Sequence, residues 1–449
     1  MSISKERIAQ ILYSYGIVTE GITETKGNAV TLYEVRPTLG TKISKFRNLK
    51  DEIAVALSVK SVRVIAPMPN GTVGIEVPNA EREIVPVDDI LESNEFENIN
   101  MELPLAIGKT TDCSTFIADL TEMPHLLVAG ATGQGKSVGL NVMLLSLLSK
   151  KTPDELKLIL IDPKQVELSV YKDIESSYLA LPIITDADKA EKALESVCSL
   201  MEQRYSKLNE LGVRNIQDYN RTMEVAGSPN DKLPYLVVVI DEYGDLIMQA
   251  GRQMEKSICR IAQKARAVGI HMIISTQRPS ATIVTGDIKA NFPTRIAFRT
   301  TTGMDSRVVL DQVGAEKLTG KGDMLFFQGA DVTRMQCAYA SLNDVLSVCS
   351  RIKRDYAGYT PKSVFAELPK PSYKLSEPPL SDLKKNATFI CVNFNSGSFG
   401  NLLHWFDVED VSKAYHQMQQ LGLIQAFGNK FLVTCKDADE IARRIDNCY

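Results

Sequence analysis

His125-Leu126-Leu127-Val128-Ala129-Gly130-Ala131-Thr132-Gly133-Gln134-Gly135-Lys136-Ser137 is the stretch from which the rest of the chain can be read. Residues 126–129 are a short apolar run of strand length, and residues 138–148 are apolar almost all round, as a buried helix is. Between them Gly130, Gly135, Lys136 and Ser137 stand at the spacing of a phosphate-binding loop. Glycines there let backbone N–H groups converge on phosphate oxygens without Cβ clashes. The helix N-terminus adds partial positive charge at the same place. In this reading Gly130, Ala131, Thr132, Gly133, Gln134 and Gly135 form the cradle, Lys136 reaches the β- and γ-phosphates, and the Ser137 hydroxyl holds Mg²⁺. The stretch predicts a nucleoside-triphosphate site at the end of a buried strand.

A chain of 449 residues, 44% hydrophobic and 24% charged, has room for two to four ordinary globular domains. Its net charge of −4 rules out a histone-like polycation, so any nucleic-acid contact must come from particular residues. The eight cysteines show no CxxC spacing and only four histidines accompany them, which argues for reduced thiols over zinc or disulfides. No uncharged apolar run approaches the roughly 20 residues of a membrane span, and the N-terminus lacks a signal-peptide apolar region. These features predict a cytoplasmic protein.

Residues 1–100 read as a small α+β domain. Ile8, Ile11, Leu12 and Tyr15 have helical spacing, strands are expected at 29–36, 61–66 and 72–77, and Leu49, Ile53, Ala54 and Leu57 mark an amphipathic helix. Residues 101–354 alternate apolar runs with helical stretches, the pattern of a doubly wound parallel sheet in an α/β fold. Its strands are expected at 126–129, 158–161, 235–240, 271–275, 294–299 and 323–327. Pro361, Pro369, Pro371, Pro378 and Pro379 make 355–386 a linker. Residues 387–449 suggest a winged-helix-like domain, with a strand at 388–394, a helix at 408–421 and a hairpin at 423–434.

Val237-Val238-Val239-Ile240-Asp241-Glu242 is an apolar strand ending in two acids, the natural second half of the site. Asp241 would bind Mg²⁺ through water and Glu242 would orient the attacking water. Asp245 is equally compatible with support of the site and with a solvated acid. Ile273-Ile274-Ser275-Thr276-Gln277 is another buried strand with a polar end, and Gln277 suits a sensing amide near the γ-phosphate. Asp162-Pro163-Lys164 ends a further strand, as part of the functional edge or as a charged turn.

These motifs, with Met201-Glu202-Gln203-Arg204-Tyr205, Gly212-Val213-Arg214-Asn215, Ala265-Arg266-Ala267-Val268-Gly269, Thr276-Gln277-Arg278-Pro279, Ile288-Lys289-Ala290-Asn291 and Gly322-Asp323-Met324-Leu325, resemble the FtsK/SpoIIIE family of DNA translocases. The resemblance implies a RecA-like P-loop ATPase core that assembles as a homo-hexameric ring around double-stranded DNA and hydrolyses ATP with Mg²⁺ to move along it. It assigns Arg266, with Arg260 second, as the arginine finger reaching a neighbouring subunit's γ-phosphate. Arg278 and Lys289 match positions touching the DNA backbone, where cations position without reading sequence.

Two departures qualify the resemblance. Gly303 stands where the family often has lysine, and Ser412-Lys413-Ala414-Tyr415-His416 lacks the arginines expected of a recognition segment. The C-terminal domain is therefore as compatible with a protein partner as with reading DNA. The membrane-anchored region of many relatives is also missing, so the chain reads as a soluble member or as the cytosolic part of a longer one. The leading function is an ATP-driven translocase in chromosome segregation or mobile-element DNA transfer. The alternatives are a ring ATPase moving protein cargo in secretion and a non-translocating ATP-dependent DNA-binding scaffold.

Overall fold

Strands buried on both faces should be apolar at every position, whereas a strand with one wet face should alternate. Both kinds occur in the computed structural model, which describes residues 3–360 apart from 69 and 330, and residues 364–365, 396–398, 418–419, 423–427 and 430–434. The chain divides into two units, Met1–Glu367 and Leu368–Tyr449.

The first unit begins with a four-stranded antiparallel sheet of β1 (Thr19–Lys26), β2 (Val30–Pro37), β3 (Arg63–Ile65) and β4 (Val73–Pro78), in the order β1-β2-β4-β3. The helix Lys5–Ser14, capped by Ser4, packs Ile8, Ile11 and Leu12 against Tyr33, Val35 and Ile75 of this sheet. β1 is the strand that sequence reading misses, because its composition is Thr, Glu, Gly and Lys around one isoleucine and none of its residues is buried. The single amphipathic helix expected near residue 53 is two short ones, Ile43–Asn48 and Lys50–Ala56, joined at Leu49.

A nine-stranded sheet follows, made of β5 (Pro104–Thr110), β6 (Thr115–Asp119), β7 (His125–Ala129), β8 (Leu156–Ile161), β9 (Tyr235–Ile240), β10 (Ile270–Thr276), β11 (Thr294–Phe298), β12 (Asp323–Gln328) and β13 (Asp331–Cys337). Its order is β6-β5-β13-β12-β11-β7-β10-β9-β8. The five strands from β11 to β8 are parallel, as expected. The other four are antiparallel, which corrects the expectation of a parallel sheet throughout. After β11 the chain makes an extra traverse through the helix Gly303–Leu310 and back, so β12 starts beside the P-loop and runs the opposite way. β7, β8, β9 and β10 are buried at every residue, and the alternation of side chains divides them between two cores. Leu126, Val128, Val237 and Val239 join the helix Lys136–Lys150 on one face; Leu127, Ala129, Leu236, Val238 and Ile240 join Ala187–Leu211 and Arg252–Lys264 on the other.

In the second unit β14 (Ser396–Ser398), β15 (Ile424–Phe427) and β16 (Lys430–Val433) form an antiparallel sheet in the order β14-β16-β15. β15 and β16 lie where the hairpin was expected. The strand at 388–394, the segment 412–416, nearly all of the helix at 408–421 and most of the linker at 355–386 lie outside the described residues.

The two sheets of the first unit are joined by a buried charge cluster. Arg334 of β13 donates to Asp323 of β12 at 2.9 and 2.7 Å and to Glu76 of β4 at 2.8 Å. Burial alone would raise the Asp323 pKa, and Arg334 more than reverses it, holding the carboxyl below its ordinary value. An arginine fork suits two carboxylates at once, and its removal would leave buried Asp323 without a cation and Glu76 with Arg63 alone. Arg334→Met is therefore expected to cost ~3–5 kcal/mol, read as a drop in the urea midpoint.

A second buried pair, His125 and His271, lies where β7 and β10 begin, with ring centroids 6.1 Å apart. Met272 N–H donates to His125 Nδ1 at 3.1 Å, so that ring is held as a neutral imidazole, and His271 Nδ1 donates to the Pro124 carbonyl at 2.9 Å. Burial pushes His125 down to about 3 and His271 down to about 4. Because these values lie below the unfolded value of about 6.5, the unfolded chain binds more protons between them. Stability should be fully present above pH ~6.5 and fall as the pH drops toward 4, each histidine contributing up to about 1.4 kcal/mol per pH unit. Urea midpoints across that range, with a shallower slope in His271→Asn, test this.

Candidate functional site

Parallel pairing fixes where the site forms. Ala129 pairs with Thr276, Ile274 with Ile240, and Ile240 with Ile161, so four strands end at one edge. The residues just beyond these strand ends, Gly130, Gln277, Asp241 and Asp162, emerge there together. At that edge Gly135 takes φ +116°, and a Cβ on it would lie 2.8 Å from the Gly322 nitrogen. Only glycine satisfies both the backbone conformation and the close approach. Gly322 N–H in turn donates to the Gln134 carbonyl at 2.9 Å, and Ala131 N–H to the Arg299 carbonyl at 2.9 Å. The loop is thus held from outside by the start of β12 and the end of β11.

Lys136 is buried, forms an ion pair with the Asp241 carboxylate and donates to Ser275 Oγ at 2.9 Å. Ser275 donates in turn to Asp241 Oδ1 at 2.8 Å. Asp241 Oδ2 is buried with no partner among the described residues, and an acceptor left so is costly unless a ligand completes it. Ser137, next to Lys136, lines the cavity over the loop, and its hydroxyl with the open Asp241 oxygen fits Mg²⁺, which takes few protein oxygens and keeps waters and phosphate ligands. No cluster of three or more His, Cys, Asp or Glu side chains that could hold a metal alone occurs among the described residues.

Glu242 is buried with φ +56°, an uncommon backbone for a non-glycine residue and one associated with functional strain. Its carboxylate accepts from Thr276 Oγ1 at 2.9 Å and from the Gln277 N–H at 3.2 Å. Lys164 Nζ lies 3.3 Å from both Glu242 and Asp245. Burial would lower the Lys164 pKa, but the two carboxylates win and hold it above its ordinary value. Asp162, fully buried, accepts four backbone N–H bonds from Lys164, Gln165, Glu167 and Leu168 at 3.0–3.1 Å. Asp162 therefore shapes the turn, and Lys164 is the group it delivers to the site.

Gln277 Oε1 accepts from Thr132 Oγ1 of the P-loop at 2.7 Å. A cavity of about 840 Å³ opens over the loop, lined by Thr132, Gly135, Lys136, Ser137 and Gln277, and continues to Arg82, Ile84, Lys321 and Tyr339. The segment 80–85, Ser275, Thr276 and Lys321 are the parts that sequence reading missed. The polar end of the 273–277 run was a signal for Ser275 and Thr276, whereas no local pattern announces the segment after β4.

The remaining candidates are scattered. Arg278 follows β10 at the P-loop edge and is exposed. Arg266 is exposed just before β10, at the opposite edge, donating to the Thr121 carbonyl at 3.2 Å. Arg260 pairs with Glu202 at 3.1 Å. Lys289 precedes β11, also away from the loop, and is paired with Asp311 at 2.6 Å beside Arg295. The geometry gathers Lys136, Ser137, Asp241, Glu242 and Gln277 and keeps Arg266 and Lys289 apart from them.

Residues 86–281 match the FtsK/SpoIIIE family and residues 1–79 match the FtsK alpha domain. The DNA translocase FtsK of Haemophilus influenzae is 40% identical over 456 residues, covering 95% of this chain and 86% of that protein. The DNA translocase FtsK of Clostridium tetani is also 40% identical, over 94% of this chain, which spans only 58% of that longer protein. Among solved structures, the pCW3 conjugation coupling protein TcpA, in monomer form with ATPγS, aligns with a TM-score of 0.56 at 25% identity over 78% of this chain and 98% of that one. No helix among the described residues is long and apolar enough to cross a membrane. With identity of this extent spread over nearly the whole chain, and the site built from the motifs that carry it, the chain belongs to the FtsK/SpoIIIE family.

Proposed function

We propose that the chain is an ATP-driven double-stranded DNA translocase: a RecA-like motor with a small N-terminal α+β domain and a C-terminal winged-helix-like domain, working as a hexameric ring in the cytoplasm. The process it serves is chromosome segregation or DNA transfer by a mobile element. The observation that carries the reading is the convergence of Lys136, Asp241, Glu242 and Gln277 at one strand edge, around the P-loop. In this mechanism the loop amides and Lys136 bind the triphosphate, and Ser137 and Asp241 hold Mg²⁺. Held there, Mg²⁺ would supply positive charge against the phosphates. Glu242, fixed by Thr276, Gln277 and Lys164, accepts a hydrogen bond from the attacking water and aligns it. Gln277, bonded to Thr132, links the loop to the end of β10.

Arg266 is consistent with a ring, since it is exposed at the edge away from its own P-loop and a finger role there would be toward a neighbour's site. Arg278, exposed after β10, supplies a cation for the DNA backbone. Lys289 takes that role by exchanging Asp311 for a phosphate. A protein-secretion motor or a static DNA-binding scaffold would leave the same loop intact but respond differently to DNA.

ATPase activity is expected to rise strongly with long duplex DNA, to be lost in Lys136→Ala, and to fall in Arg266→Ala while nucleotide binding persists. An ATPase rate indifferent to duplex DNA would overturn the translocase reading. Restoration of activity on mixing Arg266→Ala with Glu242→Gln subunits would show that the finger acts in trans.

A further inference from the structure

The charges at the strand edge around the P-loop are already committed. Lys136 is paired with Asp241, and Lys164 with Glu242 and Asp245, so two cations face three carboxylates. A nucleoside di- or triphosphate brings further negative charge. Lys321 also lines the cavity over the loop, and its ammonium has no hydrogen-bond or ion-pair partner among the described residues. It stands in the segment Thr319-Gly320-Lys321-Gly322 with φ +51°, between glycines at φ +80° and +89°.

That conformation is held by an unusual amount of structure. Gly322 N–H donates to Gln134, Gln336 Nε2 donates to the Lys321 carbonyl at 3.0 Å, and Asp323 accepts from Thr319 N–H and Oγ1 at 2.7 and 2.6 Å. Arg82, from the segment after β4, donates to the Thr319 and Gly320 carbonyls at 2.9 Å. Asp323 is itself clamped by Arg334, which also holds Glu76. Backbone strain in a non-glycine residue, fixed by neighbours on every side, is a feature of ligand-contacting segments.

We propose that Lys321 is a second phosphate-binding cation of the nucleotide site. The strap 319–322 presents its ammonium to the phosphates of the nucleotide cradled by Gly130–Ser137, and Arg82 is the positioning residue that holds the strap. This rests on the nucleotide-binding reading of the P-loop. It adds that the cation comes from the start of an antiparallel strand, and that the N-terminal domain fixes its place through Arg82 and Glu76.

The test measures ADP and ATPγS affinity of the full chain by calorimetry. Lys321→Gln removes the charge, and Lys321→Asn removes it with a residue at ease at positive φ. Both are expected to weaken ADP and ATPγS binding about tenfold, as loss of one charge-assisted contact would, with Lys321→Arg restoring most of it. The loss should shrink in high salt, and adenosine binding should not change. An unchanged affinity in the Gln and Asn variants, where the wild type binds and Lys136→Ala does not, would overturn the proposal for Lys321 alone. Equal weakening of adenosine and ADP would overturn it too, since it would mark a structural effect. No binding by the wild type would sink the underlying nucleotide reading instead.

Discussion

Everything at the nucleotide site depends on one constraint, the in-register parallel pairing of β7, β8, β9 and β10. A parallel strand must be re-entered from the same side, so all four strands release their next residues at the same edge. Pairing of Ala129 with Thr276 and of Ile240 with Ile161 puts the P-loop, Gln277, Asp241 and Asp162 within reach of one another, although they span more than a hundred positions of sequence. A slip of one residue would exchange the two faces of a fully buried strand and disrupt the packing of both cores. The apolar packing that fixes the register therefore fixes the chemistry, and no separate interaction is needed to assemble it.

The antiparallel half of the sheet does a different job. Because the chain traverses once more after β11, β12 begins where the parallel strands end, and its first residues press against Gly135 and Gln134. The same strand carries Asp323, and its neighbour β13 carries Arg334, which reaches Glu76 in the N-terminal sheet. A displacement of that sheet would be felt at the P-loop through two ion pairs and a strap of four residues. Buried pairs of this kind add little net stability over apolar packing, but they define one relative position sharply.

The parallel core was legible in the sequence because each of its strands is a continuous apolar run closed by a chemically distinctive residue. Asp241 and Glu242 could be placed from the valines before them, and Lys136 and Ser137 from glycine spacing. The antiparallel strands were less legible. β1 and β6 have no buried hydrophobic residue, and β13 alternates Arg and Gln with Met and Cys, since Arg334 serves the ion cluster and Gln336 bonds the Lys321 carbonyl. Its last four residues are buried all the same, so polarity there reports pairing rather than exposure. Lys164 was visible as a charge but not as a partner of Glu242. That contact depends on the turn Asp162 imposes, and four backbone hydrogen bonds to one carboxylate leave no trace in a pattern of residue types.

The electrostatics of the site explain why its parts should come from several places. Within the loop and the acidic strand end, Lys136 and Lys164 are matched against Asp241, Glu242 and Asp245. Such a balance keeps buried groups compatible with folding, because an excess of unpaired cations there would have to be desolvated without compensation. The same balance leaves the site short of positive charge once phosphates arrive. On the proposed reading the deficit is met by groups that stay solvated until then: Mg²⁺ on Ser137 and Asp241, Lys321 from its strap, and Arg266 from a neighbour. A cation that arrives from outside can be withdrawn, and its approach can be tied to the position of the subunit or domain that carries it. On that reading the fold separates the charges matched for stability, which lie on the parallel core, from those that meet the phosphates, which come from the strap, the ion and a neighbouring subunit.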